Sequence, residues 1–587
     1  MTGNRLRPYT HILLLAAIFL GVSLSTIAWT MTDKTPPPWD PADHISAGYD
    51  YYQSLAQLRF ADFAKDFFSM PHFYAPLVHI VTALVFLVFG ASRLSGIGVN
   101  FISLAVLLGT VYWTAKFLYS KYGTGDARAV YWPGVLAALL TVCYHFPAWL
   151  AHDAFLDYPL IAIVALTFAL LIRADDFKVR RHALAFGVAA GLGMLTKQTF
   201  AFFFFLPAVY VTARVIIKRD LRAVLNLALA AAVAIAIAGI WYFPHLDDVI
   251  AIYKVNQVGA VNENEAPLYT IGSNLFYVHA LLSTQVQVPF GALFLIGLIY
   301  ALARRRKESA LLCLWVLSGM IAFTFVANKD ARYTVPILPA VALLSVSWLT
   351  GPRPAVASKL KRALKPALAA VIVVWAVVSF INAQYPRDGY GLSYELPLFS
   401  WRIFARNYYG FDHRPLSDDW KIEQIVLAVK AHRDQELAKA REKSDGAARP
   451  ASSRPPTPEE TVSPPTKSIG IFDDAGQAIL GTVVNMPQMN PSTIGLYARL
   501  MATQRAGPPL IYVDWLVVES ALDRIETCDY LLVRAGYGPE EYVSPAERRV
   551  EEILRAAPER FSRIASFAIP NNQEAIIYKI EKGARAE

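Results

Sequence analysis

The sequence predicts a mainly α-helical protein that crosses the membrane many times and carries a soluble α/β domain at its C-terminal end. Hydrophobic residues make up 55% of the 587 residues and charged residues only 17%, whereas about 25% of a soluble domain is charged. The charges are unevenly spread, because long stretches before residue 384 have none and residues 414–467 are rich in them. The composition therefore averages a membrane region with a water-soluble one.

The apolar segments set the number of predicted spans, because a helix needs about 20 apolar residues to cross about 30 Å of hydrocarbon. Twelve segments approach this length: 11–30, 76–90, 98–115, 129–151, 158–172, 183–196, 198–213, 223–244, 280–303, 310–328, 333–350 and 366–384. Segment 76–90 is short and follows Pro76. We expect a shallow or re-entrant interfacial helix there, which leaves eleven crossings. The alternative is that it crosses and that another weak segment does not.

The basic residues orient these spans, because Lys and Arg concentrate in cytoplasmic loops. Such clusters lie at 173–181, 214–222, 304–307 and 359–365. With eleven crossings, the outer face carries loops 31–97 and 245–279, the turns at 152–157 and 328–332, and everything after residue 384. We therefore expect an inner or plasma membrane protein whose chemistry takes place on the extracytoplasmic side. Nucleotide sugars are absent there, so a donor has to come from the membrane.

The predicted domains are a membrane domain at 1–384, a connecting segment at 385–433, a linker at 434–467 and a small extracytoplasmic domain at 468–587. The linker is charged and rich in Pro and Ser, a composition that cannot bury a core. Strand-like runs (Ser468–Phe472, Leu510–Val513, Tyr530–Val533 and Ala575–Ile580) alternate with helix-like stretches (492–504, 516–527 and 545–556). This alternation predicts an α/β fold. No phosphate-binding glycine loop follows a strand, so we expect a structural cap or an acceptor-positioning domain.

The placement of the charges behind the net charge of +9 and the number of cysteines, three, argue against two other classes of protein. These classes are nucleic-acid-binding proteins and proteins built on disulfides or a cysteine zinc site. The basic residues sit at the ends of apolar segments, where they set topology, so we expect no nucleic acid partner. Only Cys528 lies outside an apolar segment, which is too few for a disulfide framework or a cysteine zinc site.

Two acidic clusters are candidates for chemistry. The first outer loop carries Asp40, Asp43, His44 and, slightly later, Tyr49; the alternative is an ordinary polar loop. The second cluster is His152, Asp153 and Asp157. Its two acids share a face if the turn is helical, and ionisable groups at the edge of the hydrocarbon are functional candidates. Helix capping ahead of Pro159 is the alternative.

Two basic clusters accompany them. Lys197 has apolar residues on both sides, and it either snorkels to the interface or binds a lipid phosphate. The turn containing Lys329, Arg332 and Tyr333 is predicted on the outer face, against the usual charge bias. Lys329 and Arg332 either bind a phosphate, which Arg can do with two hydrogen bonds, or form a salt bridge with Asp330. Acids and cations together suit an anionic lipid leaving group and an acceptor that loses a proton.

Four motifs in order resemble the GT-C membrane glycosyltransferases, in the group of protein O-mannosyltransferases and lipid A aminoarabinose transferases. In that family the first outer loop carries an Asp-Glu pair followed by a tyrosine. Asp43, His44 and Tyr49 stand at these positions in this sequence. An aspartate before Pro-Leu corresponds to Asp157, and a Gly-Leu-x-x-Leu-Thr-Lys stretch corresponds to Gly191–Lys197. A basic turn leading into Arg-Tyr-x-x-Pro-x-x-Pro is matched by Lys329, Arg332, Tyr333, Pro336 and Pro339. The resemblance covers roughly residues 10–350 and implies a GT-C fold with interfacial helices in the first outer loop.

The resemblance also implies an activity and roles. A sugar passes from a polyprenyl phosphate to an acceptor protein, lipid or glycan on the outer face, with inversion at the anomeric carbon. Asp43 is the implied general base and Asp157 orients donor or acceptor. Lys197, Lys329 and Arg332 are implied to stabilise the departing phosphate, with Tyr333 beside them. His44, Tyr49, His152 and Asp153 are implied to support the site or orient the acceptor.

This sequence departs from the family pattern at His44, which stands where the family has a second acid. Asp40 supplies another carboxylate, so the base is either Asp43 or Asp40. A divalent metal stays possible with Asp40, Asp43, His44, Asp153 and Asp157 as ligands, although we expect none. The competing functions are a transporter or flippase of a lipid-linked sugar and a non-catalytic lipid-binding homologue. A transporter predicts charges near mid-bilayer and internal repeats, which this sequence lacks. The donor sugar stays open.

Overall fold

The computed structural model describes residues 9–69, 74–122, 131–262, 265–350, 359–387, 392–395, 400–403, 413–446, 477–502, 507–538 and 543–582. The chain divides into two compact units. The first comprises Met1–Asp33, His72–Thr82 and Gly96–Leu416, and the second comprises Lys34–Pro71, Ala83–Ser95 and Ser417–Glu587. Most of the first outer loop therefore belongs to the same unit as the C-terminal domain.

Helices dominate the described residues before residue 385. They are α1 (Thr10–Thr32), α2 (Trp39–Ala56), α3 (Phe60–Ser69), α4 (Leu77–Phe89), α5 (Arg93–Gly96), α6 (Gly98–Tyr122), α7 (Tyr131–Cys143), α8 (His145–Leu150), α9 (Asp157–Ala174), α10 (Arg180–Thr196), α11 (Phe200–Lys218), α12 (Leu221–Tyr242), α13 (Leu246–Asn262), α14 (Ile271–His279), α15 (Gln287–Arg304), α16 (Lys307–Thr324), α17 (Leu338–Ser345) and α18 (Lys359–Gln384). A π-helical turn, Ala280–Gln285, precedes α15, and 3₁₀ turns flank α17.

Eight helical segments within the described ranges are long and apolar enough to cross a membrane, judged by length and composition. They are α1, Arg93–Tyr122, α9, α11, α12, α15, α16 and Pro366–Gln384. Eight of the eleven predicted crossings meet this criterion, and the chain is a multi-pass membrane protein.

The other three predicted crossings do not meet this criterion. Segment 129–151 breaks at Tyr144 into α7 and α8, because Pro147 has no N–H to donate to the carbonyl of Cys143. Segment 183–196 lies in α10, which has 17 residues. Segment 333–350 contains α17 and a 3₁₀ turn on each side of it. Pro336 lies in the first of these turns and Pro339 lies in α17.

Helix α4, which was predicted to be interfacial, is short. It contains 13 residues, about 20 Å at 1.5 Å per residue, which is less than the hydrocarbon thickness. Its position relative to the membrane stays a prediction.

Small residues bring helices of the first unit close together. Helix α10 packs on α12 with Gly187 against Ala230, and a Cβ at Gly187 would lie 2.4 Å from the Ala230 carbonyl oxygen. Close backbone approach through small residues is how membrane helices gain packing energy. Lys197 follows the last residue of α10.

The second unit contains the α/β fold predicted for the C-terminal domain. Its five-stranded sheet has the order β4-β3-β5-β7-β6, where β3 is parallel to β4 and β5, and the β5–β7 and β7–β6 pairs are antiparallel. The strands are β3 (Ile479–Thr482), β4 (Tyr512–Trp515), β5 (Tyr530–Ala535), β6 (Phe561–Ile569) and β7 (Gln573–Ile580), and the helices are α19 (Ile422–Gly446), α20 (Pro491–Leu500) and α21 (Pro545–Ala556). The hairpin strands β1 (Leu392–Glu395) and β2 (Ser400–Ile403) belong to the first unit.

Two elements of this region differ from the prediction, and one predicted strand lies outside the described residues. Helix α19 continues to Gly446, so residues 434–446 are helical rather than linker. Residues 447–476 lie outside the described residues, and with them the predicted strand Ser468–Phe472. The predicted helix at 516–527 is a 3₁₀ helix over Glu519–Thr527.

Candidate active site

A buried ion pair joins two of the predicted site residues. The Lys197 Nζ donates to Asp157 Oδ1 at 2.8 Å, and the two side chains are 11% and 3% exposed. Asp157 is the first residue of α9, where the positive end of the helix dipole favours a carboxylate. Lys197 follows α10 in extended backbone, which directs its side chain away from the helix. A charge that is this buried needs a partner of opposite charge. Lys197 and Asp157 are such partners for each other.

Tyr333 joins this pair. Its ring centroid lies 5.7 Å from the Lys197 Nζ, within the range of a cation–π contact. An ammonium has three N–H donors, so the bond to Asp157 leaves Lys197 capacity for a second acceptor. The structure thus brings together Asp157, Lys197 and Tyr333 from three separate sequence motifs.

Arg332 is held by Asp330 in the turn before Tyr333. The Arg332 Nε donates to Asp330 Oδ2 at 2.7 Å, and the backbone N–H of Arg332 donates to Asp330 Oδ1 at 2.7 Å. The guanidinium also lies over the Phe155 ring, 4.3 Å from its centroid. The salt bridge that the sequence left open as an alternative is therefore present, and Phe155 ties this turn to the one that leads into Asp157.

Lys329 is directed at backbone carbonyls. Its Nζ donates to the carbonyl oxygens of Phe323 at 3.2 Å and Thr324 at 2.7 Å, at the C-terminal end of α16, where a cation satisfies unpaired carbonyls. The side chain is buried, and this burial lowers the pKa of Lys329. In this structure Lys329 fixes the turn against α16.

Gln285 supports the same turn and was not identified from the sequence. Its Nε2 donates to the carbonyl oxygen of Ala331 at 2.6 Å and lies 2.7 Å from the Thr334 Oγ1. Gln285 ends the π-helical turn Ala280–Gln285, a feature that is frequent at functional sites. The available signal in the sequence was a pair of glutamines, Gln285 and Gln287, inside the predicted span 280–303.

His152 and Asp153 lie in the second acidic turn, before α9. The His152 ring stacks on Trp29, with centroids 3.6 Å apart and planes at 18°. Asp153 lies before α9 rather than in it, and its carbonyl oxygen accepts from the Asn100 Nδ2 at 2.7 Å. The turn is not helical, so the condition under which Asp153 and Asp157 would share a helical face is not met.

The candidates of the first outer loop lie on helix α2 in the second unit. Asp40 is in its first turn, and Asp43 follows at the i+3 position, which faces the same way. His44 is buried, whereas Asp43 is solvent-accessible. The protein around the Asp43 carboxyl nevertheless excludes enough water to raise the pKa of Asp43 to about 7. The charge of Asp40 raises this pKa further, and the Ser492 hydroxyl and Arg499 oppose the rise.

The C-terminal domain holds this helix through α20. Arg499 binds Asp50 with two hydrogen bonds, Nε to Oδ1 at 2.8 Å and Nη2 to Oδ2 at 3.1 Å. The Tyr49 hydroxyl donates to the carbonyl oxygen of Gly507 at 2.9 Å, and burial raises the pKa of Tyr49. The Thr493 hydroxyl donates to the carbonyl oxygen of Pro37 at 2.8 Å. A residue of the C-terminal domain, Arg499, thereby acts electrostatically on Asp43.

The described residues contain no group of three or more His, Cys, Asp or Glu side chains arranged to hold a metal ion. The ligands that the sequence left open are therefore not gathered into such a group in this structure. The expectation that no metal takes part stays a prediction.

The comparisons with known proteins agree in fold. A family model described as dolichyl-phosphate-mannose-protein mannosyltransferase matches residues 73–243, a range that includes Asp157 and Lys197. The crystal structure of ArnT from Cupriavidus metallidurans in the apo state is similar over 97% of this chain and 97% of that chain, with a TM-score of 0.52 and 15% identity. The structure of the same protein bound to undecaprenyl phosphate is similar over 97% and 98%, with a TM-score of 0.51 and 14% identity.

An uncharacterized protein from Aquifex aeolicus (strain VF5) is 21% identical over 281 residues, 47% of this chain and 52% of that protein. This chain therefore spans about half the length of that relative. Taken together, the matches support the resemblance to the GT-C glycosyltransferases, and the GT-C fold expected from the four motifs is confirmed.

Proposed function

We propose that this chain is an inverting glycosyltransferase that moves a sugar from a polyprenyl-phosphate donor to an acceptor on the outer face of the membrane. The observation that carries this proposal is the nearly buried Lys197–Asp157 ion pair with Tyr333 beside it, in a GT-C fold. The similarity to ArnT bound to undecaprenyl phosphate supports a lipid phosphate as the leaving group.

Lys197 and Arg332 act on the donor. The bond between the anomeric carbon and the phosphate oxygen breaks, and the polyprenyl phosphate leaves with the electron pair. Its added negative charge is stabilised by cations already held in place, since Asp157 fixes Lys197 and Asp330 fixes Arg332. Neither cation has to reorganise during the reaction. Lys329 positions the turn through the carbonyls of α16.

Asp43 acts on the acceptor. A general base works best when its pKa lies near the working pH, and the pKa of Asp43 is raised to about 7. The acceptor hydroxyl gives its proton to the Asp43 carboxylate while its oxygen bonds to the anomeric carbon from the face opposite the phosphate. Asp40, one turn earlier, contributes by keeping this pKa high, because its negative charge disfavours ionisation of Asp43. His44, Tyr49, His152 and Asp153 keep the roles of supporting the site or orienting the acceptor.

The test begins with the product. Mass spectrometry of envelope glycans, lipids and glycoproteins from a deletion strain is expected to reveal one sugar missing from one acceptor class. The purified protein is then expected to restore that sugar when supplied with the corresponding polyprenyl-phosphate donor. An unchanged envelope together with movement of the lipid-linked sugar between leaflets would instead identify a flippase.

The Asp43→Asn variant separates an enzyme from a non-catalytic lipid-binding protein. An enzyme loses turnover by about 10²–10⁴-fold, the contribution of a general base, but still binds the lipid phosphate. Asp62→Asn is the matched control, because Asp62 also lies in the first outer loop but forms an exposed pair with Arg59. Full turnover in Asp43→Asn and in Asp40→Asn would remove both carboxylates from the mechanism.

A further inference from the structure

A cleft lined by both charged and apolar residues lies far from Asp157, where α6 ends and α16 begins. It has about 460 Å³ of open space, part of it continuous with solvent, and its polar lining includes Tyr122, Tyr300, Arg304, Arg306 and Glu308. The cleft lies toward the other end of α9, because Lys307 at the start of α16 pairs with Asp175, the residue after α9, at 2.9 Å. The 18 residues of α9 span about 27 Å, so this cleft is separate from the candidate active site.

The cleft carries excess positive charge. The Arg304 guanidinium lies over the Tyr300 ring at 5.1 Å from its centroid, and the Arg306 guanidinium over the Tyr122 ring at 4.1 Å. Among the described residues, neither arginine forms an ion pair with a carboxylate. Aromatic stacking engages the face of a guanidinium and leaves the N–H groups on its edge available for an anion.

The carboxylate in the cleft is already engaged. Glu308 is buried, and it accepts a hydrogen bond from the Lys121 Nζ at 2.7 Å and another from the Tyr122 hydroxyl. The nearby Lys307 is also engaged, because it binds Asp175 and, at 2.7 Å, Asp176. Within the described part of the chain, Arg304 and Arg306 are therefore the cations of the cleft that have no carboxylate partner.

The surroundings are apolar enough for a lipid. Leu295, Ile299 and Leu302 are exposed on one face of α15, at the i, i+4 and i+7 positions, and that face runs toward the end of α15 that carries Arg304. Leu312 and Leu343 line the cleft itself. An apolar helix face that leads to paired arginines is suited to a molecule with acyl chains and a phosphate.

We propose that this cleft binds the phosphate headgroup of an anionic phospholipid from the adjacent leaflet. Arg306 and Arg304 donate to the phosphate oxygens, and the acyl chains lie along the exposed face of α15. Basic pockets between transmembrane helices bind anionic headgroups in this way. By the positive-inside rule the leaflet is the cytoplasmic one. The proposal is independent of the glycosyltransferase reaction.

The test is native mass spectrometry of the full-length protein released from nanodiscs that contain phosphatidylglycerol or only phosphatidylcholine. We expect retained phosphatidylglycerol, and about tenfold less of it in Arg304→Gln/Arg306→Gln, which removes two charge-assisted contacts. Arg305→Gln is the matched control, because Arg305 is adjacent and exposed but does not line the cleft. Arg304→Lys/Arg306→Lys keeps the charge and is expected to retain an intermediate amount.

Two results would overturn the proposal. Equal loss of phosphatidylglycerol in Arg305→Gln and in the double variant would mean general attraction to a basic surface. Retention by the double variant at the level of the unchanged protein would mean that the lipid binds elsewhere. Inorganic phosphate added to the nanodiscs distinguishes the sources, because a site for free phosphate is emptied of lipid at millimolar phosphate and a headgroup site is not. Thermal unfolding of each variant excludes loss of fold as the cause.

Discussion

The Lys197 Nζ lies 2.8 Å from the Asp157 carboxylate, and this contact joins the end of α10 to the start of α9. Because both side chains are nearly buried, removal of one partner leaves an uncompensated charge, which costs about 3–5 kcal/mol. We expect Asp157→Asn and Lys197→Met each to lower the unfolding temperature and to abolish transfer. Unfolding in detergent and turnover with the polyprenyl-phosphate donor are the measurements.

The double variant Asp157→Asn/Lys197→Met is the control for this pair. It buries no unpaired charge, so it is expected to regain part of the lost stability while transfer stays absent. Recovery of transfer together with stability would show that the pair is structural only.

Arg499 is expected to set the pH dependence of transfer. Its positive charge lowers the pKa of Asp43, so its removal in Arg499→Met raises that pKa. A general base must be deprotonated, and activity therefore rises with pH through the pKa of Asp43. We expect the rising limb of kcat/KM against pH to move to higher pH in Arg499→Met and to stay nearly in place in Arg499→Lys.

An unshifted limb in Arg499→Met, with only the amplitude reduced, would mean that Arg499 acts through the Asp50 contact alone. Asp50→Asn separates the two effects, because it breaks that contact but leaves the charge of Arg499 in place.

Asp43 is expected to reduce stability at neutral and alkaline pH. Its folded-state pKa of about 7 lies above its ordinary value, so between these values the folded state binds more protons than the unfolded state. Stability then falls as pH rises through this window. Asp43→Asn removes the titration, so we expect this variant to lose less stability than the unchanged protein between pH 5 and pH 8. Equal losses, measured by urea unfolding at both pH values, would contradict this expectation.

Gln285 is expected to control donor binding through the turn that carries Arg332. Gln285→Leu leaves the Ala331 carbonyl without its amide partner, and an unsatisfied buried group costs about 1–3 kcal/mol. We expect a higher KM for the donor with a smaller change in kcat. Thr334→Val removes one contact with Gln285 and is expected to have a smaller effect. Identical changes in acceptor and donor KM would indicate general unfolding.

The apolar runs in the sequence were sufficient to predict most of the membrane helices. They did not predict where a helix is interrupted or which other helices it packs against. Segment 129–151 reads as one span by hydropathy, and only the missing N–H of Pro147 accounts for its break. Strand β3 has only four residues, one of which is a glycine, and β6 mixes apolar residues with Ser and Arg. Neither segment therefore has the continuous β-branched or aromatic run from which a strand is predicted.

The site residues were predictable singly and their contacts were not. Asp157 and Lys197 each stood out as charges at the ends of apolar segments, yet nothing in a separation of 40 residues specifies a bond between them. Asp50 and Arg499 are 449 residues apart, and Arg499 lies in a helix that resembles any amphipathic helix. Long-range pairs of this kind depend on tertiary packing, which local patterns do not encode.

The sidedness of the site can be measured by cysteine labelling, because the three native cysteines are buried or half-buried and can be replaced by serine. Phe60→Cys in the first outer loop and Trp515→Cys in the C-terminal domain introduce exposed reporters, and Arg305→Cys introduces one after α15. We expect a membrane-impermeant maleimide to label the first two in intact cells and the third only after the membrane is opened. The predicted topology has an odd number of crossings between positions 60 and 305. Labelling of both positions from the same side would mean an even number, and would move the proposed chemistry away from a lipid-linked donor on the outer face.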